Sequence, residues 1–271
     1  MKIRNALRAV GIAASNCASP TFLGHMAHSD FTWRWRSRKR SVVQLSLPDL
    51  VSAHITSSIL LGPQCRGDSK IEDLLALATL VSRVRPMRLF EFGTFRGQAT
   101  CTLLANAPPD ARIFTLDLAP ADRKMIDAAE WDKQVSDSCI GELFRNRESS
   151  DRITQLFCDS RMLDTAPFKR SIDFIFIDGC HDREFVENDS RKALEMVRPG
   201  GVIAWHDYSP AFPAVVEYLE DLAATQTVYC VEGSEIAFLK VDAAATERAT
   251  HLIPAKVPLF SEPGRSRSAL A

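Results

Sequence analysis

The sequence lacks several features that mark common classes of protein. None of its apolar runs approaches the roughly 20 residues of a membrane span, so no membrane span is expected. Its 33 Lys and Arg are balanced by 34 Asp and Glu, which gives a net charge of −1, whereas a nucleic-acid binder usually carries a strong basic excess. It has no internal repeat and no low-complexity tract. These absences favour an ordinary globular protein that binds no nucleic acid.

Cysteine pairs with the C-x-x-C spacing of redox and zinc sites are also missing. The seven cysteines are scattered along the chain, and several fall inside predicted core elements. This distribution favours reduced thiols in a cytoplasmic protein.

The first 40 residues differ in charge from the remainder, because no acidic residue occurs before Asp30 and residues 33–40 read WRWRSRKR. A solvated basic linker is the preferred interpretation of 33–40, with a phosphate or membrane-surface contact as the alternative. The apolar run AVGIAA is shorter than a signal-peptide core of roughly 7–15 residues, which argues against secretion. Residues 1–47 are therefore predicted to be a basic, partly disordered N-terminal extension.

From residue 68 onward, strand and helix patterns alternate. Short apolar strands are predicted at residues 88–93, 112–118, 152–159, 172–177 and 201–207, with helices between them. A β-hairpin then follows around Gly233. This alternation predicts a parallel sheet covered by helices on both faces, to which the hairpin adds an antiparallel strand. We expect one α/β domain over residues 48–241 and a polar, partly disordered tail over residues 242–271.

The segment EFGTFRGQAT, residues 91–100, follows the first predicted strand. Gly93 and Gly97 would let the backbone turn tightly and approach a ligand, but the third glycine of the dinucleotide fingerprint G-x-G-x-x-G is missing. Glu91 lies beside this turn, where its carboxylate would repel a pyrophosphate and attract a cation. The segment therefore favours S-adenosylmethionine, whose sulfonium and ammonium groups are cations, over NAD.

Acidic residues end four successive predicted strands: Glu91, Asp117, Asp159 and Asp178. The carboxyl ends of parallel strands share one rim of the sheet, where open α/β sheets bind ligands. Asp117 is suited to accept hydrogen bonds from ribose hydroxyls, and Asp159 with Ser160 could meet an adenine amino group. Each acid alone could equally cap the next helix, but four in succession favour a binding site.

In combination, these motifs resemble those of class I S-adenosylmethionine-dependent methyltransferases. The resemblance covers about residues 68–241, and within the family the sequence is similar to the group with I-D-G-x-H after the fourth strand and H-D-Y after the fifth. It implies a Rossmann-like three-layer sandwich whose seven-stranded, mostly parallel sheet has an antiparallel last strand. It also implies the cofactor-binding residues, which would be Glu91, Gly93, Thr94, Phe95, Gly97, Asp117, Asp159 and Ser160.

The family's metal-dependent small-molecule O-methyltransferases hold a divalent metal at the ends of the fourth and fifth strands. By that resemblance, Asp178, His206 and Asp207 would bind the metal, and His181 would be the general base that removes the hydroxyl proton. The candidate ions are Mg, Mn and Fe, although His206 in place of an oxygen ligand suits Mn, Fe or Zn better than Mg. The alternative is that both acids are helix caps and His206 a hydrogen-bonding residue at the edge of the core.

The sequence therefore predicts an enzyme that transfers a methyl group from S-adenosylmethionine to a small-molecule hydroxyl, with a homodimer left open. Two alternatives are an NAD(P)-binding Rossmann oxidoreductase, which Glu91 disfavours, and a non-catalytic protein of the methyltransferase fold that binds a partner through its basic N-terminus. The motifs do not identify the methyl acceptor, because one fold hosts many substrates.

Overall fold

A computed structural model describes residues 40–51, 54–62, 67–119 and 139–242. The predictions for most of the N-terminal extension and of the C-terminal tail fall on residues outside these ranges, so they stay predictions. The described strands are β1 (Val43–Leu45), β2 (Arg88–Phe92), β3 (Arg112–Asp117), β4 (Ile153–Phe157), β5 (Ile172–Ile177), β6 (Val197–Trp205), β7 (Val228–Val231) and β8 (Ala237–Lys240).

All eight strands form one sheet in the order β1-β7-β8-β6-β5-β2-β3-β4. Strand β8 is antiparallel to both of its neighbours, and the other neighbouring pairs are parallel. The predicted Rossmann-like methyltransferase sheet with an antiparallel hairpin strand is therefore confirmed.

Strand β1 makes the sheet one strand larger than the seven that the family resemblance implied. It pairs in parallel with β7 at the sheet edge, with Val43 opposite Tyr229. Its residues lie in the stretch assigned to the N-terminal extension, so the sheet begins before residue 48. A strand of three residues, two of them exposed, has too few positions to show the alternation that identifies a strand in a sequence.

Helices cover both faces of the sheet and complete the three layers. The described α-helices are α1 (Ile71–Val84), α2 (Gln98–Asn106), α3 (Arg183–Met196) and α4 (Pro213–Leu222). On one face, α1 and α2 pack with Phe174 and Phe176 of β5. On the other face, α3 and α4 pack with Ile175 and Ile177 of the same strand. Burial on both faces explains why β5 is a continuous apolar run.

The strand order changes direction between β2 and β5. The chain runs outward from β2 to β3 and β4, then returns to pair β5 with the other side of β2 and continues to β6. Such a switch opens a crevice beyond the carboxyl ends of the two central strands, which is where open α/β sheets bind ligands.

Among the described residues, no helix is long and apolar enough to cross a membrane.

Candidate active site

The predicted site residues converge around this crevice. Glu91 lies in β2, and Asp117 is the last residue of β3. Asp178 and His206 directly follow β5 and β6, and each donates its backbone N–H to the strand beside it: Asp178 to the Phe92 carbonyl at 2.8 Å, and His206 to the Ile177 carbonyl at 3.0 Å. The sheet ladder therefore continues past the strand ends and fixes the backbone of both residues.

Glu91 is fully buried, and its two carboxyl oxygens have different surroundings. Oε2 accepts hydrogen bonds from the hydroxyls of Thr100 and Thr115, each at 2.5 Å. Oε1 is also buried, but no hydrogen-bond partner for it exists among the described residues. Burial raises the pKa of Glu91 to about 8, against the opposing effect of the two threonine hydrogen bonds. A buried polar atom without a partner is costly, and an approaching cation would satisfy Oε1 and favour ionisation.

A chain of hydrogen bonds extends from Glu91 across the sheet. Because the Thr115 hydroxyl donates to Glu91, its 2.7 Å contact with Thr94 Oγ1 requires Thr94 to donate to Thr115. Gln155 of β4 donates in turn to Thr94 Oγ1 at 2.9 Å. Sequence reasoning named Glu91 and Thr94 but missed the other three members, although a threonine inside the apolar strand β3 was a usable signal.

Position 93 requires a glycine because two neighbouring strands pack closely against it. Its φ is 94°, and an added Cβ would lie 1.9 Å from the carbonyl oxygen of Asp178. Its N–H donates to the Leu116 carbonyl at 2.8 Å. Contacts with β3 and with the residue after β5 thus require glycine here, whether or not a cofactor approaches the turn.

The rest of the predicted methionine-binding turn is also shaped by neighbouring segments. Gly97 precedes α2 with φ 89°, and a Cβ there would lie 2.5 Å from the Phe144 ring. Phe95 has φ 44°, and its N–H donates to Asp117 Oδ2 at 2.8 Å. Asp117 therefore holds the turn in place, and its Oδ1 accepts the Leu118 N–H at 2.7 Å. Since each carboxylate oxygen can accept more than one hydrogen bond, this is compatible with ribose binding.

Asp159 fits the capping interpretation that the sequence left open. Its Oδ1 accepts the Arg161 N–H at 2.9 Å at the start of a single 3₁₀ turn, Ser160–Met162. The Arg161 side chain also pairs with Asp159 at 2.7 Å, and these hydrogen bonds lower the pKa of Asp159. Asp159 thus shapes the segment proposed to face adenine.

Lys192 of α3 hydrogen-bonds to the backbone of the same segment, a contact that the sequence did not predict. Its ammonium donates to the backbone carbonyls of Ser160, Arg161 and Leu163 at 2.7 to 2.8 Å. A buried ammonium group is tolerated only when it is well hydrogen-bonded. The three bonds therefore fix the position of Ser160 relative to the sheet.

His206 is surrounded by three carboxylates. Its Nδ1 lies 3.1 Å from Asp207 Oδ1 and 3.3 Å from Asp178 Oδ1, and its Nε2 lies 3.2 Å from Asp73 Oδ2. Although burial opposes a charged ring, Asp178 and Asp207 raise the pKa of His206 well above its usual value of 6.5. Asp73 was not predicted from the sequence. Its spacing from Leu77 and Leu80 nevertheless places an acidic residue on the buried face of α1, and this spacing is visible in the sequence.

Asp207 connects His206 to His181. Its Oδ2 lies 2.5 Å from His181 Nε2, and the His181 ring packs against Phe212 with centroids 4.5 Å apart. Burial opposes ionisation of Asp207, but the neighbouring His206 charge and the hydrogen bond from His181 lower the pKa of this carboxyl far below its usual range. The predicted base and two of the predicted metal ligands therefore form one connected group.

The donor set fits a divalent cation. Asp178, His206 and Asp207 offer three ligand atoms within 4.8 Å of one another. A histidine bound to a metal almost always donates its other ring N–H to a carboxylate or carbonyl, and Asp73 stands at that position. A proton on Nδ1 of His206 would also fit this arrangement. The three ligand atoms are therefore placed to surround a positive charge, which can be a proton or a metal ion.

Residues 90–208 match the family model described as a methyltransferase domain. The match spans β2 to the residues after β6, which carry every predicted site residue. Residues 90–208 are therefore similar to a methyltransferase domain, and this match agrees with the predicted class of enzyme, an S-adenosylmethionine-dependent methyltransferase. No curated protein matches the sequence.

Solved structures resemble the chain at low identity. A protein from Klebsiella pneumoniae, provisionally named an O-methyltransferase, is 21% identical, with 66% of this chain and 84% of that one covered and a TM-score of 0.48. An O-methyltransferase from Bacillus cereus in complex with SAH is 19% identical, with coverage of 65% and 84% and a TM-score of 0.46. The O-methyltransferase TomG from Streptomyces achromogenes, in complex with SAM, is 19% identical, with coverage of 61% and 78% and a TM-score of 0.41.

We expect Gly93→Ala to destabilise the protein more than Gly233→Ala. Both glycines have positive φ, 94° and 81°, but nothing lies within 4 Å of a Cβ at Gly233. Both alanines should carry left-handed strain of about 1–2 kcal/mol, and the clash with Asp178 should add about 1–3 kcal/mol to Gly93→Ala alone. Equilibrium unfolding in denaturant measures both costs. Equal losses of unfolding free energy in the two variants would contradict the close contact between position 93 and Asp178.

Glu91→Gln should remove part of the pH dependence of stability. The pKa of Glu91 rises from 4.5 to about 8 on folding. Its contribution to the free energy of unfolding is therefore fully present below pH 4.5 and is lost as the pH rises through 8. Without cofactor, the wild type should therefore lose unfolding free energy relative to Glu91→Gln across this range. Denaturant titrations at several pH values test this, with Glu72→Gln, at an exposed glutamate of α1, as the control. A difference that does not change with pH would refute it.

Proposed function

We propose that this enzyme methylates a hydroxyl group of a small molecule, with His181 as general base and Asp178, His206 and Asp207 as a divalent-cation site. The observation that carries the proposal is the group of charged side chains at the sheet rim, where His181 contacts Asp207 and His206 lies among carboxylates. A homodimer and a cytoplasmic location stay predictions.

The cofactor would bind with its ammonium group toward Glu91 and its ribose toward Asp117. Support comes from the buried, unsatisfied Oε1 of Glu91, which suits a cationic group and would repel the pyrophosphate of NAD(P). The adenine would then extend toward Ser160, whose backbone Lys192 fixes. This placement disfavours the oxidoreductase alternative.

His181 is suited to accept the hydroxyl proton. If Nε2 donates its hydrogen to Asp207, Nδ1 becomes the basic nitrogen of the ring, and the carboxylate stabilises the imidazolium that forms. The cofactor would supply the methyl group: a C–O bond to the acceptor would form as the C–S bond breaks, and S-adenosylhomocysteine would be the leaving group. Positioning and deprotonation supply most of the catalysis in such a transfer.

The cation site would assist the same deprotonation. A divalent cation held by Asp178, His206 and Asp207 would lower the pKa of a neighbouring hydroxyl group. One nitrogen and two carboxylate ligands suit Mn or Fe better than Mg, which prefers oxygen ligands alone.

Cofactor binding tests the first part of this proposal. Calorimetry should detect S-adenosylhomocysteine binding and no NAD binding. Asp117→Asn replaces a charged acceptor by a neutral amide, so the affinity should fall by a few-fold up to about 100-fold, as expected for a charge-assisted hydrogen bond worth roughly 1–3 kcal/mol. Asp110→Asn, at an exposed residue before the same strand, is the matched control. Binding of NAD instead, or equal affinities in both variants, would contradict the placement.

Turnover tests the base and the cation separately. With an acceptor found by screening hydroxylated small molecules for S-adenosylhomocysteine release, His181→Ala should lower the maximal rate about 10²–10⁴-fold without changing cofactor affinity. His54→Ala, at an exposed histidine, should have no effect. Excess chelator should stop turnover while cofactor binding survives. Full activity in chelator would exclude the cation, and a near-normal rate in His181→Ala would exclude the base.

A further inference from the structure

Asp73 is the one fully buried carboxylate that contacts this site from a helix, among the residues the structure describes. It lies in the first turn of α1, outside the strand ends that carry the predicted site. Its Oδ1 accepts the backbone N–H of Glu235 at 2.6 Å, and Lys70 of the preceding turn pairs with the Glu235 side chain at 2.5 Å. These contacts fix the orientation of the Asp73 carboxylate, so that Oδ2 faces His206.

The contact between Asp73 and His206 requires a hydrogen on one ring nitrogen, Nε2. An ionised carboxylate can only accept hydrogen bonds, so His206 Nε2, 3.2 Å from Oδ2, must be the donor. In a neutral imidazole the other nitrogen then has the free lone pair. That nitrogen, Nδ1, is the one that faces Asp178 and Asp207.

We propose that Asp73 is a positioning residue that holds His206 in the Nε2–H tautomer, so that Nδ1 completes the cation site with Asp178 and Asp207. This inference rests on the cation site of the proposed function and adds to it the residue that selects the ligand atom. Partners of this kind orient the ring of a ligating histidine and raise its basicity, and their loss typically weakens metal binding about 10–100-fold.

Asp73→Asn tests the tautomer directly. Because the Glu235 N–H needs an acceptor, the asparagine oxygen should take the place of Oδ1 and turn its NH₂ group toward His206 Nε2. That group can only donate, so the ring should switch to the Nδ1–H tautomer and lose its ligand lone pair. Glu72→Gln, an exposed neighbour on α1 with the same loss of charge, is the matched control.

Calorimetric titration of the full chain with Mn²⁺ alone should show affinity at least about tenfold weaker for Asp73→Asn than for the wild type and Glu72→Gln. S-adenosylhomocysteine affinity should be equal in all three, which also reports that the variant is folded. Equal Mn²⁺ affinities in all three would overturn the role of Asp73 and leave the cation site standing. A wild type that binds no Mn²⁺ would overturn the cation site, and this inference with it.

A spectroscopic measurement that needs no Asp73 variant tests the inference if Asp73→Asn does not fold. The chain has six histidines, so ¹⁵N spectra of the imidazoles are simple, and His206→Gln assigns the signal. In protein loaded with diamagnetic Zn²⁺, His206 should show a protonated Nε2 and a coordinating Nδ1. The reverse arrangement would overturn the inference.

Discussion

Glu91 lies inside the sheet with its carboxyl group out of contact with solvent, and the surrounding side chains are arranged around one of its two oxygens. Hydroxyls from α2 and β3 satisfy Oε2, whereas Oε1 has no partner among the described residues. Burying a carboxyl group without full hydrogen bonding costs stability unless the group is neutral or meets a cation. A positive charge close to Glu91 in β2 would therefore be favourable, which is the basis for the proposal that S-adenosylmethionine and not a dinucleotide binds there.

The second half of the crevice has the same electrostatic character. Asp73, Asp178 and Asp207 surround His206, and each carboxylate is oriented by a backbone or histidine contact. Three negative groups around one ring are stable only when a proton or a metal ion lies among them. A neutral acceptor hydroxyl between these two regions would face a sulfonium methyl on one side and a base on the other. In the proposed function, the sheet would therefore bring the sulfonium and the general base together at one rim.

The sequence was sufficient to predict most of this architecture because alternation and strand-end acids are local patterns. The α/β alternation, the closing hairpin and the convergence of Glu91, Asp117 and Asp178 all follow from where strands end. Contacts between distant segments were not predictable in the same way. Asp73 lies 133 positions from His206 in the chain, and no local pattern pairs them. Gly93 was interpreted as making room for a ligand, whereas its neighbour is a backbone carbonyl beyond another strand.

The central claim is that Glu91 binds the cationic ammonium group of the cofactor. Its most direct test is the proton balance of cofactor binding. S-adenosylhomocysteine binding can be measured by calorimetry below pH 8 in buffers with different ionisation enthalpies. If the ammonium group ionises a carboxyl whose pKa is about 8, the wild type should release about one proton on binding and Glu91→Gln should release none from this group. No proton release from the wild type, or the same release from Glu91→Gln, would contradict the claim.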